Sequence, residues 1–390
     1  ARRWWCSGAS GRHLRRKWSW SGKRWGIDMR GRLLALGLCC CLLLTGCSAL
    51  LRREYSAVTP HSAVPTAEDD SSTLRAESYQ ELVNALLYLV TQREDQGTIR
   101  LFGDGETVAA DLAAARQEVM QEDPLGAYSV KDIQYELTAV VSSYEADLYL
   151  TYRRTPEQVA SIVPATGDNA IRRELGQTLQ RFGEELVLRA SYFEGDEAHI
   201  QTLAREAYFS APEYALGLPS LTVTVYPETG RQRIVEILLR YPLDGAQLQE
   251  RYGALDRVLS RWANDYWNYQ PLDFAQALAQ RCSYDPEGGS TPYHVLVERR
   301  ADSQGAALAL LALCGRLAQR GELVEGTLGE KQELHFWTVV DTENGPRHLD
   351  PFPPEGAETA LRTDWEMEEL GYAWDRENTP VCAGDSLDIP

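Results

Sequence analysis

Residues 301–351 hold an alcohol, an imidazole and a carboxylate in an order that could do chemistry. The stretch runs Ala301-Asp302-Ser303-Gln304-Gly305 and continues as an apolar helical run to about Gln319. Two strand-like segments follow, the second opening His335-Phe336-Trp337, and a polar turn leads into Arg347-His348-Leu349-Asp350-Pro351. A nucleophile at a helix N-terminus, a base on a neighbouring strand and a carboxylate that fixes the base's tautomer form a nucleophile–base–orienter set. Ser303, His335 and Asp350 are the candidates for those three positions. A helix N-terminus lowers the pKa of a thiol placed there, but it does not turn an alcohol into an anion. Asp-Ser ahead of an apolar helix is also an ordinary N-cap signal. Ser303 is therefore read as a cap, with His335 and Asp350 kept as structural partners between strands.

The remaining polar and sulfur-bearing residues of this stretch read as scaffold. Cys314 lies eleven residues beyond Ser303, about 16 Å along a helix at ~1.5 Å per residue. It cannot stand in for Ser303 at the helix N-terminus, and its apolar neighbours make it a core residue. Trp337 belongs to the core of the sheet. His348 is two residues before Asp350, on the same face of a strand, and is a minor candidate. His294, on the preceding segment, has no evident partner.

With these residues in view, Asp302-Ser303-Gln304-Gly305, His335-Phe336-Trp337 and His348-Leu349-Asp350-Pro351 resemble the transglutaminase-like domain of the papain-like group. That family opens its core helix with a nucleophilic Cys, places His before Trp on the next strand pair, and Asp before Pro on the strand after. The likeness covers about residues 285–352 and departs from the pattern at Ser303, where the family has Cys. It implies an α+β fold and the roles of nucleophile, base and orienter at Ser303, His335 and Asp350, in a site expected to be inactive. The segment from Leu361 to Cys382, with Asp364, Trp374 and Pro380, is similar to the C-terminal tail of bacterial lipoproteins bearing this domain.

The other end of the chain carries an address. From Met29, Arg30 and Arg32 form a basic n-region, Leu33 to Leu44 an apolar h-region too short to span a bilayer, and Leu44-Thr45-Gly46-Cys47 ends it. The tetrapeptide resembles the bacterial lipobox, which implies cleavage after Gly46 and diacylglycerol on the sulfur of Cys47. More than one acyl chain makes a stable anchor. The partner expected there is a lipid bilayer, with the body of the protein on the extracytoplasmic face. Residues 1–28 carry eight Arg or Lys, one Asp and five of the ten Trp; they have no folding pattern and are read as a non-native upstream extension.

Charge separates the two ends. The whole chain of 390 residues has a net charge of −18, and residues beyond 46 hold 29 basic and 56 acidic side chains. A body this acidic argues against nucleic acid as a partner. Beyond Cys47 only Cys282, Cys314 and Cys382 remain, without CxxC or a His/Cys cluster at metal-ligand spacing, so no metal and no cofactor is expected. Cys282 with Cys382 is the pair an exported chain could oxidise.

The body divides by composition and by a weak repeat. Residues 47–73 are polar and read as a flexible tether. Residues 74–160 and 161–245 read as two small α+β units built of helix, strand, helix and β-hairpin: Pro124 and Pro212 are 88 residues apart, Tyr152 and Tyr241 are 89. Their acidic residues are scattered and their tyrosines fall in strand-like segments, as core or cross-strand pairs. Residues 246–390, helical to Cys282, form the transglutaminase-like domain and its tail. The expected architecture is α+β, two tandem repeat units followed by that domain. The expected function is a non-catalytic binding or scaffold module at the cell envelope, with peptide or cell-wall peptide as a ligand of the former cleft. The alternative is an acyl-transfer or peptide-hydrolysing enzyme using Ser303, His335 and Asp350; a third reading places function in the repeats.

Overall fold

Alternating apolar residues in Ile133-Gln-Tyr-Glu-Leu and Ala146-Asp-Leu-Tyr-Leu bury one face of a hairpin, and that face organises the first sheet. The structure is a computed structural model that describes residues 66–67, 73–193 and 195–384. Residues 1–28, the signal segment 29–46 with Gly46, and Cys47 lie outside the described residues. Two short strands, β1 (Thr66–Ala67) and β2 (Thr73–Ala76), come first. Next are α1 (Tyr79–Gln92), β3 (Gln96–Leu101), α2 (Gly105–Gln121), α3 (Pro124–Ser129), β4 (Val130–Val140) and β5 (Ser143–Tyr152). The sheet order is β1-β2-β3-β5-β4, with β2 parallel to β3 and the pairs β3·β5 and β5·β4 antiparallel. Composition places Thr66–Ala67 in a tether spanning 47–73. The structure instead pairs them antiparallel with β2, because an edge strand accepts a short partner whatever its side chains.

The second unit repeats the plan. It contains α4 (Pro156–Ala160), β6 (Val163–Thr166), α5 (Gly167–Gln180), β7 (Glu185–Ser191), α6 (Glu197–Phe209), β8 (Ser220–Tyr226) and β9 (Gln232–Arg240). The order is β6-β7-β9-β8, again one parallel pair followed by two antiparallel ones. Each unit therefore has a parallel strand at its start that the helix–strand–helix–hairpin expectation omits. Helix α5 supplies the helix that the expected plan places before the strand; its apolar stripe is Ile171, Leu175 and Leu179 among charged residues. The two units meet through Arg154, whose Nη2 donates to Glu236 Oε2 at 2.6 Å while its guanidinium lies 4.7 Å from the Tyr128 ring centroid.

The last part begins with α7 (Gly245–Asp265) and α8 (Pro271–Arg281), followed by the two-residue strands β10 (Ser283–Tyr284) and β11 (Arg300–Ala301), which pair in parallel. Helix α9 (Ser303–Arg316) then leads into β12 (Gly321–Leu328), β13 (Glu333–Thr342), β14 (Gly345–Leu349), β15 (Leu361–Arg362), α10 (Asp364–Glu369) and β16 (Tyr372–Trp374). The sheet order is β15-β14-β13-β12-β16, all antiparallel. The architecture is α+β throughout. Among the described residues no helix is long and apolar enough to cross a membrane.

Helix α9 is apolar on every side, the pattern of a helix surrounded by protein. Leu310, Leu313 and Cys314 join the core formed with Leu255 and Leu259 of α7 and Phe274 of α8, whereas Leu308 joins the core of the second sheet with Leu188 and Ile237. Replacing Leu308 with Ala leaves a cavity at this seam. Loss of about 2–5 kcal/mol of unfolding free energy is expected, measured by chemical denaturation, with a smaller loss contradicting the shared core.

Candidate functional site

The N-terminus of α9 is shaped by Asp302, not Ser303. Asp302 is the N-cap: its carboxylate accepts the N–H of Gly305 at 2.8 Å and a hydrogen bond from the Ser290 hydroxyl. Ser303 is the first helical residue, so its reading as the cap is corrected. The shift of one position arises because a carboxylate satisfies an orphan helix donor at least as well as a hydroxyl, and here it comes first. Gly305 is required by close approach: a Cβ there would stand 2.9 Å from the carbonyl oxygen of Gly289 and 3.1 Å from the nitrogen of Thr291.

Freed from capping, the Ser303 hydroxyl turns to the sheet. β13 pairs with β14 only as far as Thr338 opposite Leu349, so Phe336 lies beyond the end of that ladder. Its N–H donates to Ser303 Oγ at 3.1 Å, which satisfies a buried donor that would otherwise be orphaned. The serine oxygen thus sits beside the residue that follows His335.

His335 and Asp350 are joined directly. The imidazole Nε2 is 2.7 Å from Asp350 Oδ2. The same carboxylate oxygen accepts the Tyr372 hydroxyl at 2.7 Å, and Oδ1 accepts the N–H of Phe352 at 2.7 Å. A carboxylate accepts only, so Nε2 carries a proton and Nδ1 is the nitrogen left with a lone pair in the neutral ring. Among the described residues no hydrogen bond joins Ser303 to His335. All three positions are nearly sealed, at 5%, 4% and 1% relative exposure for Ser303, His335 and Asp350. Burial beside the Asp350 charge pushes the Tyr372 phenol far up, which keeps it a hydrogen-bond donor.

A second imidazole–carboxylate pair lies behind the first. Trp337 Nε1 donates to His348 Nδ1 at 2.9 Å, and His348 Nε2 is 2.9 Å from Asp364 Oδ1, which also accepts the N–H of Cys382 at 3.1 Å. The His335 and Trp337 rings stack with centroids 6.3 Å apart. His348, Asp364 and Cys382 each offer one ligand atom, and these lie within 4.8 Å of one another, a donor set that zinc would accept. The ring's hydrogen bonds oppose that use. Indole N–H is a donor only, so it occupies the Nδ1 lone pair and leaves the proton on Nε2 facing Asp364. A metal-bound Nε2 needs the reverse arrangement, with Nδ1 donating outward. Burial, then the Asp364 charge, pushes the Cys382 thiol up to about 12. The cluster is a hydrogen-bonded joint that fastens the C-terminal tail to the sheet.

The remaining sequence candidates settle into the scaffold. Cys282, Cys314 and Cys382 are free and buried, so the Cys282–Cys382 pair is not formed; the two sit in different cores. His294 does have a partner, Thr291 Oγ1 at 2.7 Å from its Nδ1. Tyr372 was missed by sequence reading: it lies 22 residues beyond Asp350 and meets it only because β16 adds to the far edge of β12. No motif marks that pairing.

No family model matches the chain, and no curated protein matches it. Among solved structures it is similar to one described as a crystal structure of a TGase, with a TM-score of 0.25 and 12% identity over 58% of this chain and 66% of that chain, just under two thirds of its length. It is also similar to a protein from Cytophaga hutchinsonii described provisionally as a cysteine protease, with a TM-score of 0.24 and 12% identity over 43% of this chain and 80% of that one.

Two measurements check the site's hydrogen bonds. Ser303→Ala strands the buried Phe336 N–H and is expected to cost about 1–3 kcal/mol of stability. Asp302→Ala removes a cap and is expected to cost about 0.5–2 kcal/mol. A neutral Ser303→Ala in urea denaturation would contradict the acceptor role. The second check is pH. Burial holds the His348 pKa below its usual 6.5, against an opposing pull from Asp364. The folded state therefore favours the neutral ring, and the unfolded chain takes up the proton first as pH falls. Stability present above about pH 6.5 is lost as pH drops toward the lowered value. His294 adds loss of the same sign. Unfolding free energy measured from pH 7.5 to 5 should decline less steeply in His348→Gln than in the unaltered protein.

Proposed function

We propose that residues 246–384 form a transglutaminase-like domain that has lost its chemistry, carried by a lipid-anchored protein of the bacterial cell envelope and serving as a non-catalytic binding or scaffold module. The observation that carries this reading is the hydrogen bond from Phe336 N–H to Ser303 Oγ. The oxygen at the nucleophile position serves as a structural acceptor, closing the gap where β14 stops. Helix N-terminus, backbone donor and nearby imidazole would together favour a thiolate, but an alcohol stays protonated in the same surroundings. Anchoring is inferred from Leu44-Thr45-Gly46-Cys47, with acylation at Cys47. The near-complete burial of Ser303, His335 and Asp350 argues against peptide binding in the former cleft.

The rival reading, an acyl-transfer or hydrolytic enzyme, draws on one observation. Asp350 holds His335 by Nε2, which leaves Nδ1 as a base. A fluorophosphonate probe separates the two. No labelling of the unaltered protein is expected; stoichiometric labelling that disappears in Ser303→Ala and in His335→Ala would establish the enzyme instead. Ser303→Cys supplies the missing chemistry. Its thiol is expected to react with iodoacetamide at pH 7 at least tenfold faster than in the Ser303→Cys/His335→Ala double variant. Equal rates would show that His335 does not act on position 303. For the anchor, metabolic labelling with a radioactive fatty acid should mark the full chain and be lost in Cys47→Ala.

A further inference from the structure

Ser303, His335 and Asp350 are nearly sealed, yet the sheet beneath them runs on past the start of α9. Leu334, Phe336, Thr338 and Val340 alternate onto one face of β13. Val340 shares the core of α9, and the backbone of Phe336 meets Ser303. Phe336 is 4% exposed, whereas Leu334, two residues back along the strand, is 63% exposed. The helix begins over Phe336 and the face opens beyond it, which makes this end the mouth of the site.

One side chain meets that mouth from three directions. Tyr284 of β10 lies opposite Ala301 in the parallel ladder, two residues before Ser303. Its ring is 5.4 Å from that of Phe352, which is two residues beyond Asp350 and donates its N–H to that carboxylate. Burial pushes the Tyr284 phenol up, and the charges of Asp302, Asp350, Glu333 and Asp285 push it further. Asp302 directly precedes Ser303, and Glu333 lies two residues before His335. Tyr284 is thus bounded by a neighbour of each of the three site residues. It is also the ring free to leave. Phe336, Trp337 and Tyr372 are buried, but Tyr284 is 50% exposed on a strand of two residues. Among the described residues its hydroxyl makes no hydrogen bond, so rotation about χ1 breaks one ring contact and nothing else that is directional.

We propose that Tyr284 is a movable lid over Ser303, His335 and Asp350, and that the mouth beneath it admits small neutral or cationic groups and turns anions away. The selection comes from the carboxylates around the lid. Arg300 pairs with Asp285 and leaves Asp302, Asp350 and Glu333 without an Arg or Lys beside them. An entering anion meets their charges in a partly buried setting, where like charges repel more strongly than in open water. The closed lid keeps peptide out, and a small group passes when the ring swings aside. The inference rests on the placement of Ser303 at the former nucleophile position and not on the loss of chemistry there.

The test uses the full chain carrying Ser303→Cys and His335→Ala, so that the thiol reports access without help from a base. Alkylation at pH 8 is read by mass spectrometry on the peptide that carries position 303. Adding Tyr284→Ala is expected to raise the iodoacetamide rate at least tenfold, and adding Tyr284→Phe to leave it within twofold. Iodoacetate should lag iodoacetamide at least tenfold more than it does on the same chain unfolded in urea, and Glu333→Gln should narrow that gap. Cys314, at 0% exposure, serves as the control for unfolding and is expected to stay unlabelled. An unchanged rate in Tyr284→Ala, an equal rise in Tyr284→Phe, or labelling of Cys314 in step with position 303 would overturn the lid. A ratio of the two reagents equal to that of the unfolded chain would overturn the charge selection. Fluorophosphonate labelling of the unaltered protein bears on the chemistry alone, so the two readings fail separately.

Discussion

Strand β14 ends at Leu349 while its partner β13 continues back to Glu333. A buried strand that outruns its neighbour leaves donors that must be satisfied, since an orphaned N–H costs about as much as a lost hydrogen bond. The first turn of α9 enters that gap, and Ser303 Oγ supplies the acceptor. The helix can stand there because Asp302 caps it, and because Gly305 lets the 289–291 loop approach to within contact of the helix backbone. His335 and Asp350 lie beside the same gap, so the arrangement repairs the sheet where β14 stops.

The groups around Ser303 are bound to one another whatever chemistry they do. Asp350 satisfies His335, Tyr372 and the Phe352 N–H at once, and each would be a buried polar group without it. Behind it, Trp337, His348 and Asp364 extend the network to the backbone at Cys382. Such networks are costly when partly broken and stable when complete. That asymmetry holds the network together, and it ties the tail beyond α10 to the centre of the domain.

The repeat units show the same economy in their sheets. Each contains one parallel strand pair and closes with an antiparallel hairpin, and the two units are linked by Arg154 and Glu236 across the seam. The second unit leaves the end of one sheet face uncovered, where Leu238 is exposed.

Much of this was legible before any coordinates. Period-two alternation marked the hairpins, and the apolar run after Gly305 marked a helix, which the structure ends at Arg316. The placement of Ser303 at a helix start and of His335 on a strand was also legible, because local residue types determine strands, helices and caps through short-range sterics and hydrogen bonding. The sequence could not tell that Asp302 takes the cap and Ser303 the strand, since both are good caps and the choice rests on where β14 ends. It could not show Tyr372 reaching Asp350 or the free state of Cys282 and Cys382. Those depend on which strands become neighbours across long stretches of chain, a matter settled by packing the whole and not by any segment within it.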